Sequence, residues 1–260
     1  MISEAVKSVE RYIDSIKWIY GKPNEVSHER FTAHLLVVKN QKYSELARIC
    51  IESFCFYHPM CSIIVHCDNS TYFQTLKTLK KIIKRGSTEV VLDQIDGQRT
   101  WQEQKIHTIV SLNGTRDIFL DADLRWNGCI PVRKGLTFFV DEFRLTEKSP
   151  FRELLSLSEF ANHSDPIMRN TSFFSFAGIR VEESQVHKIF RIQELINVAA
   201  KSNSIGLLDR DDILRISEQL AISLAAGMWG KEIFALKSHD GHRDGEFVES
   251  SYFGATGVRF

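Results

Sequence analysis

The sequence predicts an α/β fold with a mainly parallel central sheet flanked by helices, and two observations support this. In the first half of the chain, short apolar stretches alternate with amphipathic stretches of about 10 to 15 residues, which is the pattern of βαβ units. The 260-residue chain has 43% hydrophobic and 25% charged residues, a composition typical of a folded globular protein. This length suits one large domain, or a domain with an appendage.

The predicted elements of the first half follow one another in a regular order. Residues 1–22 carry apolar side chains at helical spacing, so we expect an N-terminal helix packed on the main body. Strands are predicted at Thr32–Val38, Ser62–His66, Glu89–Leu92 and Ile118–Leu120, and helices at Tyr43–Phe56, Tyr72–Lys84 and Trp101–Leu112. Residues 23–260 are predicted as a single domain because no linker divides them.

Beyond residue 128 the alternation gives way to a mixed α+β pattern. Strands are predicted at Leu136–Val140, Ser172–Phe176 and Glu232–Leu236, and helices near Phe151–Glu159 and at Glu182–Ala200 and Asp211–Ala226. The tail from Ser238 to Phe260 is rich in glycine, and we expect it to be a long loop. The domain therefore divides into a first half, residues 23–128, and a second half, residues 129–260.

Composition excludes several classes of protein. Lys+Arg 33 balance Asp+Glu 33, so a generally basic surface for nucleic acid is not expected. There is no signal-peptide pattern and no apolar run of about 18 residues, which predicts a cytoplasmic protein without a transmembrane segment. Peripheral membrane association stays open. None of the five cysteines forms a C-x-x-C pair, and we expect them to be reduced thiols.

The most informative stretch is Ile118–Arg125, an apolar run that ends in two aspartates. If the run is a buried strand, Asp121 and Asp123 share a face at its carboxyl end, where open α/β sheets bind ligands. Two converging carboxylates repel each other unless positive charge lies between them, and their oxygens suit Mg²⁺ or Mn²⁺. The similar pair Asp209 and Asp211 opens a predicted helix, which makes first-turn acids the simpler interpretation.

Several short motifs, taken in order, resemble those of the GT-A class of nucleotide-sugar glycosyltransferases. They are the strand Thr32–Val38, Ile63–Asn69, Trp101-x-x-x-Lys105, Ile118–Asp123, Asn170–Ser175, Ser217–Gln219 and a histidine in the C-terminal loop. The resemblance covers about residues 30–245 and assigns no family within the class. It implies a Rossmann-like GT-A fold whose first half binds the nucleotide sugar and whose second half binds the acceptor.

The resemblance also implies an activity and a metal site. The expected enzyme is a metal-dependent hexosyltransferase that moves a sugar from a nucleoside-diphosphate sugar, expected to be a UDP-sugar, to an acceptor hydroxyl. The expected acceptor is a cell-surface glycan or a lipid-linked precursor. Asp121 would lie near the donor ribose and the metal, and Asp123 would ligate Mn²⁺ or Mg²⁺ directly. His239, preferred over His242, is the expected third ligand.

Further donor contacts are expected from Val38, Asp68, Arg99 and Lys105. Asp68 follows the second strand and either accepts from the base or ribose or forms a turn before the next helix. Arg99 and Lys105 either contact the diphosphate or are ordinary solvated charges. Trp101, at the start of the same helix as Lys105, is expected in the core, with sugar stacking as the alternative.

On the acceptor side the candidates are Asn170 and Glu218. An inverting transfer needs a carboxylate that takes the proton of the acceptor hydroxyl, and Glu218 is the candidate, against the alternative of an exposed helical glutamate. The Phe173-Phe174-x-Phe176 cluster is expected in the core. The other functions considered are a Mg²⁺-dependent nucleotidyltransferase or phosphohydrolase, and a non-catalytic sugar-nucleotide binder.

Overall fold

The computed structural model of the chain describes residues 27–85, 88–126, 129–130, 135–145, 166–201, 214–237 and 248–250. Its strands are β1 (Thr32–Val37), β2 (Ser62–Cys67), β3 (Glu89–Gln94), β4 (Ile118–Leu120), β5 (Leu124–Trp126), β6 (Leu136–Arg144), β7 (Ile167–Ser175), β8 (Ile233–Lys237) and β9 (Val248–Ser250). Its helices are α1 (Lys42–Tyr57), α2 (Tyr72–Arg85), α3 (Trp101–Ser111), α4 (Glu183–Val186), α5 (Lys188–Lys201) and α6 (Ser217–Met228).

Seven strands form one sheet in the order β3-β2-β1-β4-β7-β6-β8. The strands of the first half, β1 to β4, pair with one another in parallel, whereas β7 is antiparallel to both β4 and β6. β8 is parallel to β6. The predicted fold class, α/β with a mainly parallel central sheet flanked by helices, is confirmed.

The sheet has a hydrophobic core on each face. In β4, Ile118 and Leu120 face one core, which contains apolar side chains of α1 and α2, and Phe119 faces the other, which contains those of α3, α5 and α6. All three β4 residues are buried, which explains why this strand is a continuous apolar run without polar alternation. Phe173 belongs to one core, and Phe174 and Phe176 belong to the other, so the predicted core role of this cluster is confirmed.

The boundaries differ from the predicted ones mainly in the second half. β6 and β7 are longer than predicted, and α6 begins at Ser217. The prediction of a loop was wrong for Val248–Ser250, because these residues form β9 and pair antiparallel with β5. The predicted N-terminal helix and the predicted helix near Phe151–Glu159 lie outside the described residues.

The start of α3 differs from its predicted environment. Trp101 is 36% exposed at the first position of α3, so its expected place in the core was wrong. α3 begins there because Thr100 and Glu103 form a capping box, in which each side chain accepts a hydrogen bond from the other residue's backbone amide.

In the described part of the chain, no helix has both the length and the apolar character needed to span a bilayer.

Candidate functional site

The candidate site lies at the carboxyl edge of the parallel strands. β1, β2 and β4 run side by side in the same direction, so the residues that follow them, Val38, Asp68 and Asp121, lie at one edge of the sheet. The backbone amide of Asp121 donates a hydrogen bond to the carbonyl of Ser172 at 2.7 Å, which ties the end of β4 to β7. This edge brings together residues from both halves of the chain.

Lys105, Asp121 and Glu218 form a buried charge cluster at this edge. The ammonium group of Lys105 donates to Oδ2 of Asp121 at 2.9 Å and lies 3.8 Å from Oε1 of Glu218. The side chains of Lys105 and Glu218 are each only 4% exposed, whereas that of Asp121 is 26% exposed. Neither Lys105 nor Glu218 is therefore the solvated helical charge that was the alternative to a functional role.

The cluster shifts the acid–base properties of its members. Burial raises the pKa of Glu218 to about 7, although the nearby Lys105 acts in the opposite direction. Burial acts to lower the pKa of Lys105, but the charges of Asp121 and Glu218 raise it above its ordinary value. Oε2 of Glu218 accepts no hydrogen bond from the described residues. A carboxyl group that is poised near neutrality can either hold or take up a proton at physiological pH.

Asp123 is half-buried beside Asp121. Burial and the charge of Asp121 raise the pKa of Asp123 to about 7, even though Lys105 and Lys42 favour its ionised form. Tyr43, in the first turn of α1, is close enough that its own pKa is raised by burial and by the charges of Asp123 and Asp121. Lys105 and Lys42 thus do not offset the effect of burial and of Asp121 on the pKa of Asp123.

The repulsion between Asp121 and Asp123 is partly relieved by the chain itself. Two aspartates this close together need positive charge between them, and Lys105 supplies some of it. Within the residues that the structure describes, no group of three or more His, Cys, Asp or Glu side chains could hold a metal ion. His239 and His242, the candidates for a third ligand, lie outside the described residues.

Asp68 makes its hydrogen bonds within the protein. Its Oδ2 accepts from the backbone amide of Lys39 at 2.9 Å, and its Oδ1 accepts from the backbone amides of Ser70 and Thr71 at 3.0 and 3.1 Å. These contacts lower the pKa of Asp68 although burial opposes them. The structure therefore agrees with the turn that was one of the two alternatives for this residue, while a contact with the donor stays a prediction.

Asn170 belongs to a network that connects β6, β7 and α6. Its amide nitrogen donates to Oε1 of Glu142 at 3.0 Å, and its amide oxygen accepts from the backbone amide of Ser172 at 2.8 Å. Gln219 donates to Oε2 of the same Glu142 at 3.1 Å. Because Gln219 adjoins Glu218, this network fixes the start of α6 and hence the backbone that carries Glu218.

The remaining candidates lie at the margin of the site. Val38 is 8% exposed, and its carbonyl accepts from the amide of Asn40 at 2.7 Å, which begins the turn into α1. Arg99 is exposed just before α3, where its charge contributes to lowering the pKa of His107. For both residues, contact with a donor stays a prediction.

Sequence reasoning missed Glu142, Gln219 as its partner, and Tyr43. Glu142 lies beyond the predicted end of β6 at Val140, and its contact with Gln219 joins residues 77 positions apart. No local pattern reports such a pairing. Tyr43 had a usable signal, since it begins the helix after β1 and so had to lie at the carboxyl edge of the sheet.

The comparisons with known proteins found similarity only among solved structures. No family model and no curated protein matches the chain. The galactosyltransferase LgtC is 10% identical over 79% of this chain and 72% of its own, with a TM-score of 0.46. GlyE from Streptococcus pneumoniae is 9% identical over 81% of this chain and 45% of its own, with a TM-score of 0.45.

A third similar structure is the mannosyltransferase PcManGT from Pyrobaculum calidifontis in complex with GDP-Man and Mn²⁺. It is 14% identical over 84% of this chain and 80% of its own, with a TM-score of 0.34. Glycosyltransferases are thus among the solved structures similar to this chain, as the resemblance of its motifs implied. At these identities and TM-scores, the similarities assign no substrate and no residue role to this chain.

Proposed function

We propose that this chain is a metal-dependent glycosyltransferase of the hexosyltransferase type, which uses a nucleoside-diphosphate sugar as donor. The observation that carries the proposal is the acidic cluster at the carboxyl edge of β4, where Asp121 and Asp123 meet Lys105 and Glu218. This edge is where ligands of α/β sheets bind. The pair Asp121 and Asp123 would hold a divalent cation there together with the diphosphate of the donor.

Asp121 and Asp123 are the residues that would hold the metal, with His239 proposed as a third ligand. A bound divalent cation would act as a Lewis acid on the departing diphosphate, whose negative charge grows during transfer. Lys105 holds Oδ2 of Asp121 at 2.9 Å and thereby orients that carboxylate. The carboxylate is thus positioned before the donor arrives.

Glu218 is the proposed general base in an inverting transfer. With a pKa of about 7 and an Oε2 that accepts no hydrogen bond from the described residues, it could take the proton of an attacking hydroxyl. Lys105 would then stabilise the ionised form of Glu218 between turnovers. Asn170 acts in this proposal through Glu142 and Gln219, which hold the start of α6, and so it is a positioning residue.

The donor base, the acceptor and the cellular location are also part of the proposed function. We propose a UDP-sugar as donor, a cell-surface glycan or lipid-linked precursor as acceptor, and a cytoplasmic location. Val38, Asp68 and Arg99 are proposed to line the nucleotide side of the site, because they lie beside or near the carboxyl ends of β1 and β2.

The test is thermal unfolding of the full chain against a panel of nucleoside diphosphates, with and without Mn²⁺. A ligand that binds only the folded state stabilises it by about 2.7 kcal/mol at 100 times its dissociation constant. We expect one diphosphate to stabilise the parent only when Mn²⁺ is present, and Asp123→Asn to abolish the effect. The matched control is Asp93→Asn, which changes an aspartate of β3 that is 50% exposed and should leave the stabilisation unchanged.

Other outcomes would contradict the proposal in distinguishable ways. If no diphosphate stabilises the parent, the acidic cluster does not bind this class of donor. If binding occurs but Glu218→Gln has the same rate of sugar transfer as the parent, Glu218 is not the base. Binding of a diphosphate without any transfer of sugar to glycan or lipid-linked acceptors would indicate a sugar-nucleotide binder instead.

A further inference from the structure

The outer face of α2 combines an exposed aromatic side chain with a row of lysines. In the described part of the chain, Phe73 is 79% exposed and Leu76, one turn further on, is 40% exposed. The exposed lysines of this helix are Lys77, Lys80, Lys81 and Lys84. We call Phe73, Leu76 and these four lysines the α2 face.

These residues lie on one side of the helix. Phe73, Lys77, Lys80 and Lys84 are spaced by three or four residues, so they form a single stripe along the helix. The buried residues Leu79 and Ile82 lie on the opposite side, in the hydrophobic core, and the buried Thr75 contacts Ser44 of α1. The apolar side chains of the α2 face, Phe73 and Leu76, are therefore exposed beside its lysines rather than packed in the core.

The lysines of the α2 face have no acidic partners among the described residues. The sequence of α2 contains no aspartate or glutamate, and no ion pair of the described residues includes these lysines. On the neighbouring helix α1, Glu45 and Glu52 pair with Arg48 instead, at 2.9 and 2.6 Å. Since the chain as a whole has no net charge, the positive charge of this helix is a local feature.

We propose that the α2 face docks on an anionic lipid bilayer. A helix that lies in the interface inserts its large apolar side chains among the lipids, while its lysines contact the phosphates of the headgroups. Phe73 and Leu76 supply the apolar insertion and the lysines supply the attraction. A purely electrostatic partner, such as an acidic protein or a nucleic acid, would need the lysines but would give no reason for the exposure of Phe73.

The position of α2 would bring the candidate site to the membrane. Asp68 follows β2 at its carboxyl end, and α2 starts four residues later, at Tyr72. In between, the hydroxyl of Thr71 donates to the carbonyl of Val37 at 2.5 Å. Phe73 is therefore close to the edge of the sheet that carries the aspartate pair, whereas Lys84 lies near the opposite end of the helix. Docking through this face would hold the site edge near acceptors at the lipid surface.

The test is sedimentation of the full chain with vesicles, without any nucleotide. We expect binding to vesicles of phosphatidylcholine with about 30% phosphatidylserine, and release from them in high salt. Each lysine near an anionic surface is worth about a fivefold change in affinity. The triple variant Lys77→Gln/Lys80→Gln/Lys84→Gln should therefore lower the partition coefficient by about 100-fold, and Phe73→Ser by about tenfold.

Matched controls change the same residue types elsewhere. The triple variant Lys188→Gln/Lys201→Gln/Lys231→Gln removes the same charge from other exposed positions, and Val198→Ser removes an apolar side chain that is 58% exposed on α5. Both controls should bind vesicles like the parent. All these positions are exposed, and thermal unfolding verifies that each variant is folded.

Three outcomes would overturn the proposal. The parent could fail to bind anionic vesicles. The control triple variant could lose as much binding as the α2 variant, which would indicate a non-specific effect of charge. Phe73→Ser could bind like the parent while the α2 triple variant does not, which would indicate a polyanion-binding surface. Because no donor is present in this assay, its result is independent of the nucleotide test of the proposed function.

Discussion

Replacing Lys105 by methionine tests whether the buried charge cluster is organised around this amine. The substitution keeps an apolar side chain of similar length but removes the charge that lies 2.9 Å from Asp121 and 3.8 Å from Glu218. At an effective dielectric constant of about 20, these distances correspond to attractions of about 6 and about 4 kcal/mol. Both figures exceed the net effect, because burying the amine has its own cost and Asp121 is partly solvated.

We expect Lys105→Met to lower the free energy of unfolding by about 3 to 5 kcal/mol at pH 8, the range found when one member of a buried ion pair is removed. The pKa of Glu218 is about 7, so at pH 6 this carboxyl is largely protonated and needs no cationic partner. The loss should therefore be smaller at pH 6 than at pH 8. Urea denaturation at the two pH values measures both quantities.

A double-mutant cycle with Glu218→Gln isolates the pairwise contribution. If the two residues interact as the structure shows, the double variant should be more stable than the sum of the single effects predicts, by about 2 kcal/mol at pH 8. The control is Arg191→Met, which removes an ion pair to Glu194 of 2.7 Å whose members are 60% and 63% exposed. That change should cost less than about 1 kcal/mol.

The reasoning is refuted if Lys105→Met costs no more than Arg191→Met. It is also refuted if the coupling between Lys105 and Glu218 at pH 8 is below about 0.5 kcal/mol, the usual limit for independent sites. Either result would mean that burial does not strengthen this ion pair. The proposal that Lys105 stabilises ionised Glu218 would then lose its basis.

Three further predictions concern stability, each measured by urea denaturation. Asp68→Ala should cost about 2 to 4 kcal/mol because it leaves the amide of Lys39 and the turn before α2 without their acceptor, and a loss below about 1 kcal/mol would contradict this. The pKa of His34 is lowered to about 4 by burial and by His66, so below pH 6.5 the unfolded chain binds a proton that the folded chain does not. The free energy of unfolding should therefore fall by up to about 3 kcal/mol through His34 as the pH falls from 6.5 to 4. His34→Gln should show a shallower fall than the parent. Trp101→Ala should cost under about 1 kcal/mol, whereas Trp126→Ala, at a fully buried position, should cost about 3 to 5 kcal/mol; equal losses would contradict the observed burial.

The parts of the fold that were predictable from the sequence are those that depend on local pattern. β4 was predicted with its observed boundaries because Ile118–Leu120 is buried on both faces, and a strand buried in this way is a continuous apolar run. The place of Asp121 followed from the direction of the chain, since a residue after a parallel strand must lie at the carboxyl edge. The same reasoning applies to Asp68.

The parts that were not predictable depend on pairing between distant residues. β5 and β9 are three residues each and lie more than 100 positions apart in the chain, so neither has an apolar pattern of its own that indicates a strand. The burial of Glu218 was also hidden, because a glutamate in the first turn of a helix is usually exposed. The contact with Lys105, on a helix of the first half, and a pKa raised to about 7 together explain how α6 tolerates a buried acid.

The contact with Lys105 weakens the inference from the aspartate pair to a bound metal. Two adjacent carboxylates need a counter-charge, which suggested a metal, yet the chain provides an amine that already contacts Asp121. The repulsion alone therefore does not require a metal. Burial raises the pKa of Asp123 and that of Glu218 to about 7 even in the presence of this amine, so a cation bound beside them would favour their ionised forms.

Because the pKa of Asp123 and that of Glu218 are both about 7, the charge of the cluster changes with pH near neutrality. When both are ionised, three carboxylates face one ammonium group and the cluster carries a formal charge of about −2, which a divalent cation would neutralise. When both are protonated, the remaining pair of Asp121 and Lys105 is already balanced. In the proposed function, the burial that would make Glu218 suitable for taking a proton would also couple the protonation of the cluster to the binding of a metal. Removing Lys105 would alter both the proton uptake by Glu218 and the binding of a metal, whereas removing Asp123 would mainly alter the binding of a metal.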